Sequence, residues 1–178
     1  MTYVALLRGI GPGNPNMRNE RFIEVLEGLG FSDVRTVLST GNVVFRADEA
    51  DPCVLQDRIE PAWPEQLGFT STTIVRSFDE IAALVADDPF GRVPHGPSTY
   101  QLVTFVKQRP PPRLEHRRPG FEVVGVHERS GAVLTLTDQT AGSATDVMSW
   151  LDKQLGKEIS SRTSLTVARI LRKMESLG

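Results

Sequence analysis

The sequence is poor in cysteine, histidine and long apolar runs, and each shortage removes a class of protein. Cys53 is the only cysteine in 178 residues. No intrachain disulfide can form, and one thiol with three scattered histidines (His95, His116 and His127) does not make a spaced zinc cluster. No metal and no cofactor is expected. The thiol usage suits a reducing compartment, which points to the cytoplasm. The apolar run at residues 3–7 ends at Arg8, far short of the roughly 18 residues that a membrane span needs. Neither the flanking charge nor the small-residue cleavage site of a secretory leader is present, so no leader is expected. Hydrolase signatures are missing as well: no serine lies in G-x-S-x-G, and neither H-x-x-E nor H-E-x-x-H occurs. The formal charge of −2 gives no overall attraction to nucleic acid or anionic lipid.

With 39% hydrophobic and 24% charged residues the chain has the composition of a folded globular protein. Residues 3–7 are too short for a helix and read as a buried strand. After a Gly/Pro/Asn loop from Gly9 to Asn16, Phe22, Val25, Leu26 and Leu29 recur at helical spacing, with Asn16 or Asn19 as cap and Gly30 as stop. Residues 34–38 and 42–46 flank the turn Ser39-Thr40-Gly41 as a hairpin. Asp51-Pro52 opens a second helix, which Pro61 and Pro64 should end or kink near Trp63. A strand is expected over 70–75. Ser77-x-x-Glu80 then makes a capping box for a connecting helix closed by Pro89.

The second half repeats this order. Residues 99–107 alternate as a strand, residues 108–119 form a proline- and arginine-rich connection with at most a short helix, and residues 121–127 and 132–137 make a second hairpin. A helix carrying Val147, Met148, Leu151 and Leu155 follows, then a short strand at 159–161 and a closing amphipathic helix. The expected fold is therefore α+β: two tandem ferredoxin-like (βαββαβ) subdomains with antiparallel sheets and a C-terminal helix. The first spans 1–76, and the second, with the connecting helix, spans 77–178.

Candidate chemistry gathers at strand ends. Arg8 follows five apolar positions, so its guanidinium either pairs internally or faces a site. The loop after it joins a strand to a helix, a place where anions bind readily. Its glycines, however, do not follow G-x-G-x-x-G, and Pro12 and Pro15 remove two amide donors. Ser39, Gly41 and Asn42 would serve a ligand or simply close the turn. The arginine clusters at 109–118 and 162–173 suit solvated faces. The central strands Val43-Val44-Phe45 and Val133-Leu134-Thr135 lack the aromatic platform of RNA-binding sheets, which argues against nucleic acid.

Leu6-Leu7-Arg8-Gly9-Ile10, Met17, Ser39-Thr40-Gly41-Asn42-Val43-Val44-Phe45, Arg76-Ser77, Pro89-Phe90 and the stretch from Ser161-Arg162-Thr163 to Thr166 together resemble the bacterial family named domain of unknown function 1697. The resemblance spans nearly the whole chain. It implies two ferredoxin-like subdomains and no established activity. Where that family has L-R-G-I-N this chain has Gly11-Pro12 after Ile10, and where it has T-R-N-W-N-T this chain has residues 161–166. Arg8 and Arg162 are thus kept while the neighbouring asparagines and tryptophan are replaced.

The function expected from the sequence is the binding of a small anionic or phosphate-bearing ligand by Arg8, Gly9, Ser39, Gly41, Asn42 and Arg162. An enzyme drawing on Asp87, Asp88 or His127, or a protein-interaction scaffold, is the alternative. Neither the catalytic residues, if any, nor the oligomeric state can be read from the sequence.

Overall fold

The apolar run at the start of the chain becomes β1 (Thr2–Leu7), in which every residue from Tyr3 onward is buried. Such a run suits a strand with neighbours on both sides and cover on both faces. The computed structural model describes residues 1–91, 93–141 and 144–178. They divide into two compact units, Met1–Asp79 with Arg169–Gly178, and Glu80–Ala168.

In the first unit the Asn14 side chain accepts the Asn16 N–H and opens a 3₁₀ turn at Pro15–Met17. α1 (Asn19–Gly28) follows, burying Phe22, Val25 and Leu26. β2 (Ser32–Thr36) and β3 (Asn42–Arg46) form the expected hairpin. Asp51 caps α2 (Pro52–Ile59) by accepting the Cys53 N–H at 2.8 Å. The two prolines divide the rest into a separate short α3 (Ala62–Leu67), closed by Gly68 at φ +74°. The last strand, β4 (Thr73–Ser77), begins three residues later than the periodicity predicts. The segment before it is occupied by side-chain bonds, with the Ser71 hydroxyl donating to the Arg8 carbonyl at 2.7 Å.

The strand order is β2-β3-β1-β4, with every pairing antiparallel. Phe45 packs on Phe31 and Tyr3 (ring centroids 4.8 and 5.9 Å), and Phe22 meets the Trp63 ring edge-on. The outer edge of β4 is sealed by α2: Gln56 Oε1 accepts the Val75 N–H (3.0 Å) and Glu60 Oε2 that of Thr73 (2.7 Å). Donors that would otherwise template another strand are thereby used internally.

The chain continues through α4 (Phe78–Ala86) to β5 (Thr99–Val106), β6 (Arg117–Arg118), β7 (Phe121–His127), β8 (Ala132–Asp138), α5 (Ala144–Leu155), β9 (Ile159–Thr163) and α6 (Ser164–Glu175). These strands make a second antiparallel sheet, ordered β6-β7-β8-β5-β9. Here the expectation of a second βαββαβ series needs correction. No helix lies between β5 and β7, and β6 adds a fifth strand. Four prolines between residues 108 and 119 remove the amide donors that a helix would need, so the segment stays extended and its end pairs with β7.

The two sheets match bond for bond. Tyr3 stands opposite Phe45 and Ser77 as Leu102 stands opposite Thr135 and Thr163. Leu7 N–H donates to Gly41 O (2.8 Å) and Val106 N–H to Gly131 O (2.9 Å); Arg8 N–H donates to Thr72 O (2.9 Å) and Lys107 N–H to Glu158 O (3.0 Å). Both hairpins end in a glycine at positive φ, +76° at Gly41 and +62° at Gly131. Both hairpin pairings carry a register shift, between Ser32 and Arg35 in one and between Val123 and Gly125 in the other. Even a side-chain conformation recurs: Nη1 of Arg76 and of Arg162 donates to the carbonyl of the preceding residue, at 2.8 and 2.7 Å.

Candidate functional site

Five of the six candidate residues, Arg8, Gly9, Ser39, Gly41 and Asn42, come together at one end of the first sheet. Leu6 pairs with Asn42 on one side and with Ile74 on the other. Just beyond β1, Leu7 N–H donates to Gly41 O and Arg8 N–H to Thr72 O, so the Arg8 backbone lies beside Thr72 and next to the turn that carries Thr40. Arg8 and the hydroxyl residues Thr40 and Thr72 thus form a row near the ends of the three strands. The base of this row is fixed by the Arg8 N–H bond to Thr72 and by Ser71 on the Arg8 carbonyl. Ser71 in turn passes its carbonyl to the Thr73 hydroxyl (3.2 Å), which accepts the Trp63 indole N–H (2.8 Å). The chain leaves through Gly9, which is exposed at φ +72° with open space around its Cα.

The turn residues also have architectural duties. A Cβ on Gly41 would lie 2.6 Å from Ile10 Cγ1 and 2.9 Å from Leu7 Cβ, so the close approach and the positive φ both demand glycine. Asn42 is buried, and its amide donates to Val37 O (2.9 Å) and Thr40 Oγ1 (3.0 Å), locking the hairpin. Ser39 is exposed at the tip.

Arg162, the sixth candidate, belongs to the second unit. It faces Val103 across β5 and donates to Ser160 Oγ at 3.0 Å as well as to the Ser161 carbonyl. Burial disfavours its charged form and pulls its pKa down to about 10.

The counterpart of Arg8 in the second sheet is Lys107, whose N–H donates to Glu158 O while Val106 N–H donates to Gly131 O, next to Ser130. A carboxylate therefore stands where the first sheet has Thr72. Ser130 is tied up as well. Its hydroxyl lies 2.7 Å from His127 Nδ1, while His127 Nε2 lies 3.0 Å from Asp87 Oδ2. The trio has the composition of a hydrolytic triad, but Ser130 has no exposed surface. Nδ1 also accepts the Ser130 backbone N–H at 3.2 Å, which leaves Nε2 to carry the proton toward Asp87. His127 thus locks the second hairpin as Asn42 locks the first. Among the described residues no group of three His, Cys, Asp or Glu side chains is placed to hold a metal ion, and no helix is long and apolar enough to cross a membrane.

The model of the family described as protein of unknown function (DUF1697) matches residues 1–130. The chain belongs to the DUF1697 family. None of the curated proteins matches it. Among solved structures this DUF1697 chain is similar to the conserved bacterial protein SP0830 from Streptococcus pneumoniae, with a TM-score of 0.68 and 15% identity over 97% of this chain and 98% of that one. At that identity the likeness speaks for the fold alone: a mixed α+β fold with two antiparallel sheets and a C-terminal helix.

Sequence reasoning singled out the arginine and the turn of the DUF1697 chain and did not single out Thr72, whose carbonyl accepts the Arg8 N–H. A register rule was the only available signal: once Leu6 is paired with Ile74, the residue two before Ile74 must flank Arg8.

Proposed function

We propose that the two halves, 1–76 and 77–178, are tandem ferredoxin-like repeats, and that the first binds a small anionic ligand at the end of its sheet through Arg8, Gly9 and the Ser39–Asn42 turn. The shared strand order, the paired backbone bonds and the matching glycines support the repeat. The second repeat is read as one that has exchanged its first helix for a proline-rich extended segment. A cytoplasmic setting fits this reading.

The row Thr40–Arg8–Thr72 carries the functional reading. A guanidinium offers a planar fork of donors suited to carboxylate or phosphate, and threonine hydroxyls near it add neutral donors. At the matched position of the second repeat Glu158 stands beside Lys107 where the first has Thr72 beside Arg8, so the two ends differ in composition. The reading rests on the first unit alone and leaves Arg162 aside. A small ligand is favoured over nucleic acid because no stacking aromatic lies on β3 or β1 at this end. An enzyme built on Asp87, Asp88 or His127 is less well supported, since His127 and Asp87 are engaged with a closed hairpin.

Melting temperatures measured with inorganic phosphate, glucose 6-phosphate, AMP, citrate and malate test the site. At least one should raise the melting temperature, because ligand at a hundred times its Kd stabilises by about 2.7 kcal/mol. Arg8→Ala should lose that shift and Lys107→Ala should keep it. A wild type indifferent to all five, or an Arg8→Ala protein that still responds, removes the proposal.

A further inference from the structure

The second sheet carries a different kind of opening, unrelated to the Arg8 row. A cleft of about 550 Å³ lies over the strands β6, β7 and β8, lined among others by Val93, Arg117, Glu122, Leu136 and Asp138. Arg117 stands directly opposite Glu122, Glu122 opposite Leu136, and Thr99 opposite Asp138 one row further on. Strand alternation puts Leu136 and Asp138 on the face away from Val133, which packs in the core with Val106 and Ile159. The cleft floor therefore reads base, acid, apolar residue, acid.

Neither end of this array is neutralised by a close partner. The Arg117 side chain is 92% exposed and reaches Glu122 only at 3.5 Å, a pair of little energetic weight. Asp138 makes no ion pair among the described residues. Its Oδ1 accepts both the N–H (2.9 Å) and the hydroxyl (2.7 Å) of Thr140. Those two bonds orient the carboxylate and hold it below the usual range for ionisation, the hydroxyl contributing most. Its other oxygen is left for a donor from outside.

We propose that this cleft binds a small zwitterion of the size of an amino acid or dipeptide, with its ammonium group at Asp138, its carboxylate at Arg117 and an apolar side chain on Leu136 and Val93. A simple anion would meet two carboxylates, and a simple cation would leave Arg117 without a role. A molecule carrying both charges at its two ends answers the whole floor, and the volume is ample for it.

The test is calorimetric titration of the full chain with glycyl-leucine, with its N-acetyl derivative and with its C-terminal amide. Glycyl-leucine should bind saturably, and each derivative should bind about tenfold more weakly, the loss of one charge-assisted hydrogen bond. Asp138→Asn should weaken the parent dipeptide by a similar factor and leave the N-acetyl compound unchanged; Arg117→Gln should do the same with the amide. Both positions are exposed, so the variants should stay folded, Asp138→Asn losing only the small contribution of its ionised carboxylate. Absence of heat for all three compounds at millimolar concentration overturns the proposal. So does equal binding of the N-acetyl compound and the parent, which would make the cleft a plain anion site. Because the Arg8 variants lie in the other unit, failure here leaves the anion reading of the first sheet standing, and the converse holds.

Discussion

The two sheets share strand order, register and hairpin bonds, yet nearly every matched side chain differs. Arg8 corresponds to Lys107, Thr72 to Glu158, Asn42 to Ala132 and Phe45 to Thr135. What they share is the backbone ladder and two glycines at positive φ. What differs is how each face is covered. In the first sheet α1 lies over a core containing Phe45, Phe31 and Phe22. In the second, with no helix between β5 and β7, the matched position is Thr135, and the aromatic cover is the half-buried group His116, Phe121 and Trp150. Backbone pairing can thus be preserved while the chemistry laid over it is exchanged, and a site on one sheet implies no copy on the other.

The strongest test of that contrast substitutes each member of the matched pair. Phe45→Ala should cost about 4 kcal/mol in urea unfolding, the usual range for emptying a fully buried aromatic position. Thr135 and Thr137 behave in the opposite sense: both are fully buried, and neither hydroxyl has a hydrogen-bond partner. Thr135→Val replaces an unsatisfied hydroxyl with a methyl of similar shape and should stabilise by about 1 kcal/mol. If Thr135→Val lowers stability instead, the hydroxyl is satisfied in solution and the two faces do not differ in this respect.

Next in size is the hairpin glycine of the first sheet. Gly41→Ala adds the strain of a non-glycine residue at φ +76° to a collision with Ile10 and Leu7, so a loss of about 3 kcal/mol is expected. Gly9 has nearly the same φ, +72°, but open space around it. Gly9→Ala should therefore cost only the conformational part, about 1 kcal/mol. Similar losses at the two positions would mean that the approach of Ile10 to Gly41 relaxes easily, and with it the tight packing claimed for the loop beside Arg8.

Local signals explain why so much of this was legible beforehand. Asp51-Pro52, the prolines at 61 and 64, Gly156 at φ +75° and both hairpins were visible because caps, prolines and turn residues act over a few positions. β6 was not visible: two arginines in a proline-rich stretch have no period, and they pair only because β7 offers an edge. The bond-for-bond repeat was hidden for a related reason. It resides in main-chain donors and acceptors, which are identical in every sequence, while Phe45 and Thr135 share nothing that a reading of residues could align. At the candidate site, Arg8 and the turn declared themselves by type and position, but Thr72 became a neighbour only through register. The Asp138 cleft draws on four strands and the loop that carries Val93, separated by up to 45 residues.

The smallest effect concerns the residues that follow the central hairpin strands. Asp138 ends β8 and accepts two bonds from Thr140, whereas its counterpart Asp48 is followed two residues on by Ala50, which has no hydroxyl to offer. A carboxyl whose pKa is lowered on folding adds stability above its unfolded value near 3.8, and that contribution disappears as pH falls through the lower folded value. Removing the larger of the two causes with Thr140→Ala should move the Asp138 pKa back toward 3.8, as followed by carboxyl carbon chemical shifts. Wild type and variant should then differ in melting temperature at pH 6 and converge as the pH is taken below 3. A gap that persists unchanged at low pH would mean that Thr140 stabilises the turn by some route other than the charge on Asp138, and the orientation of that carboxylate toward the cleft would lose its main support.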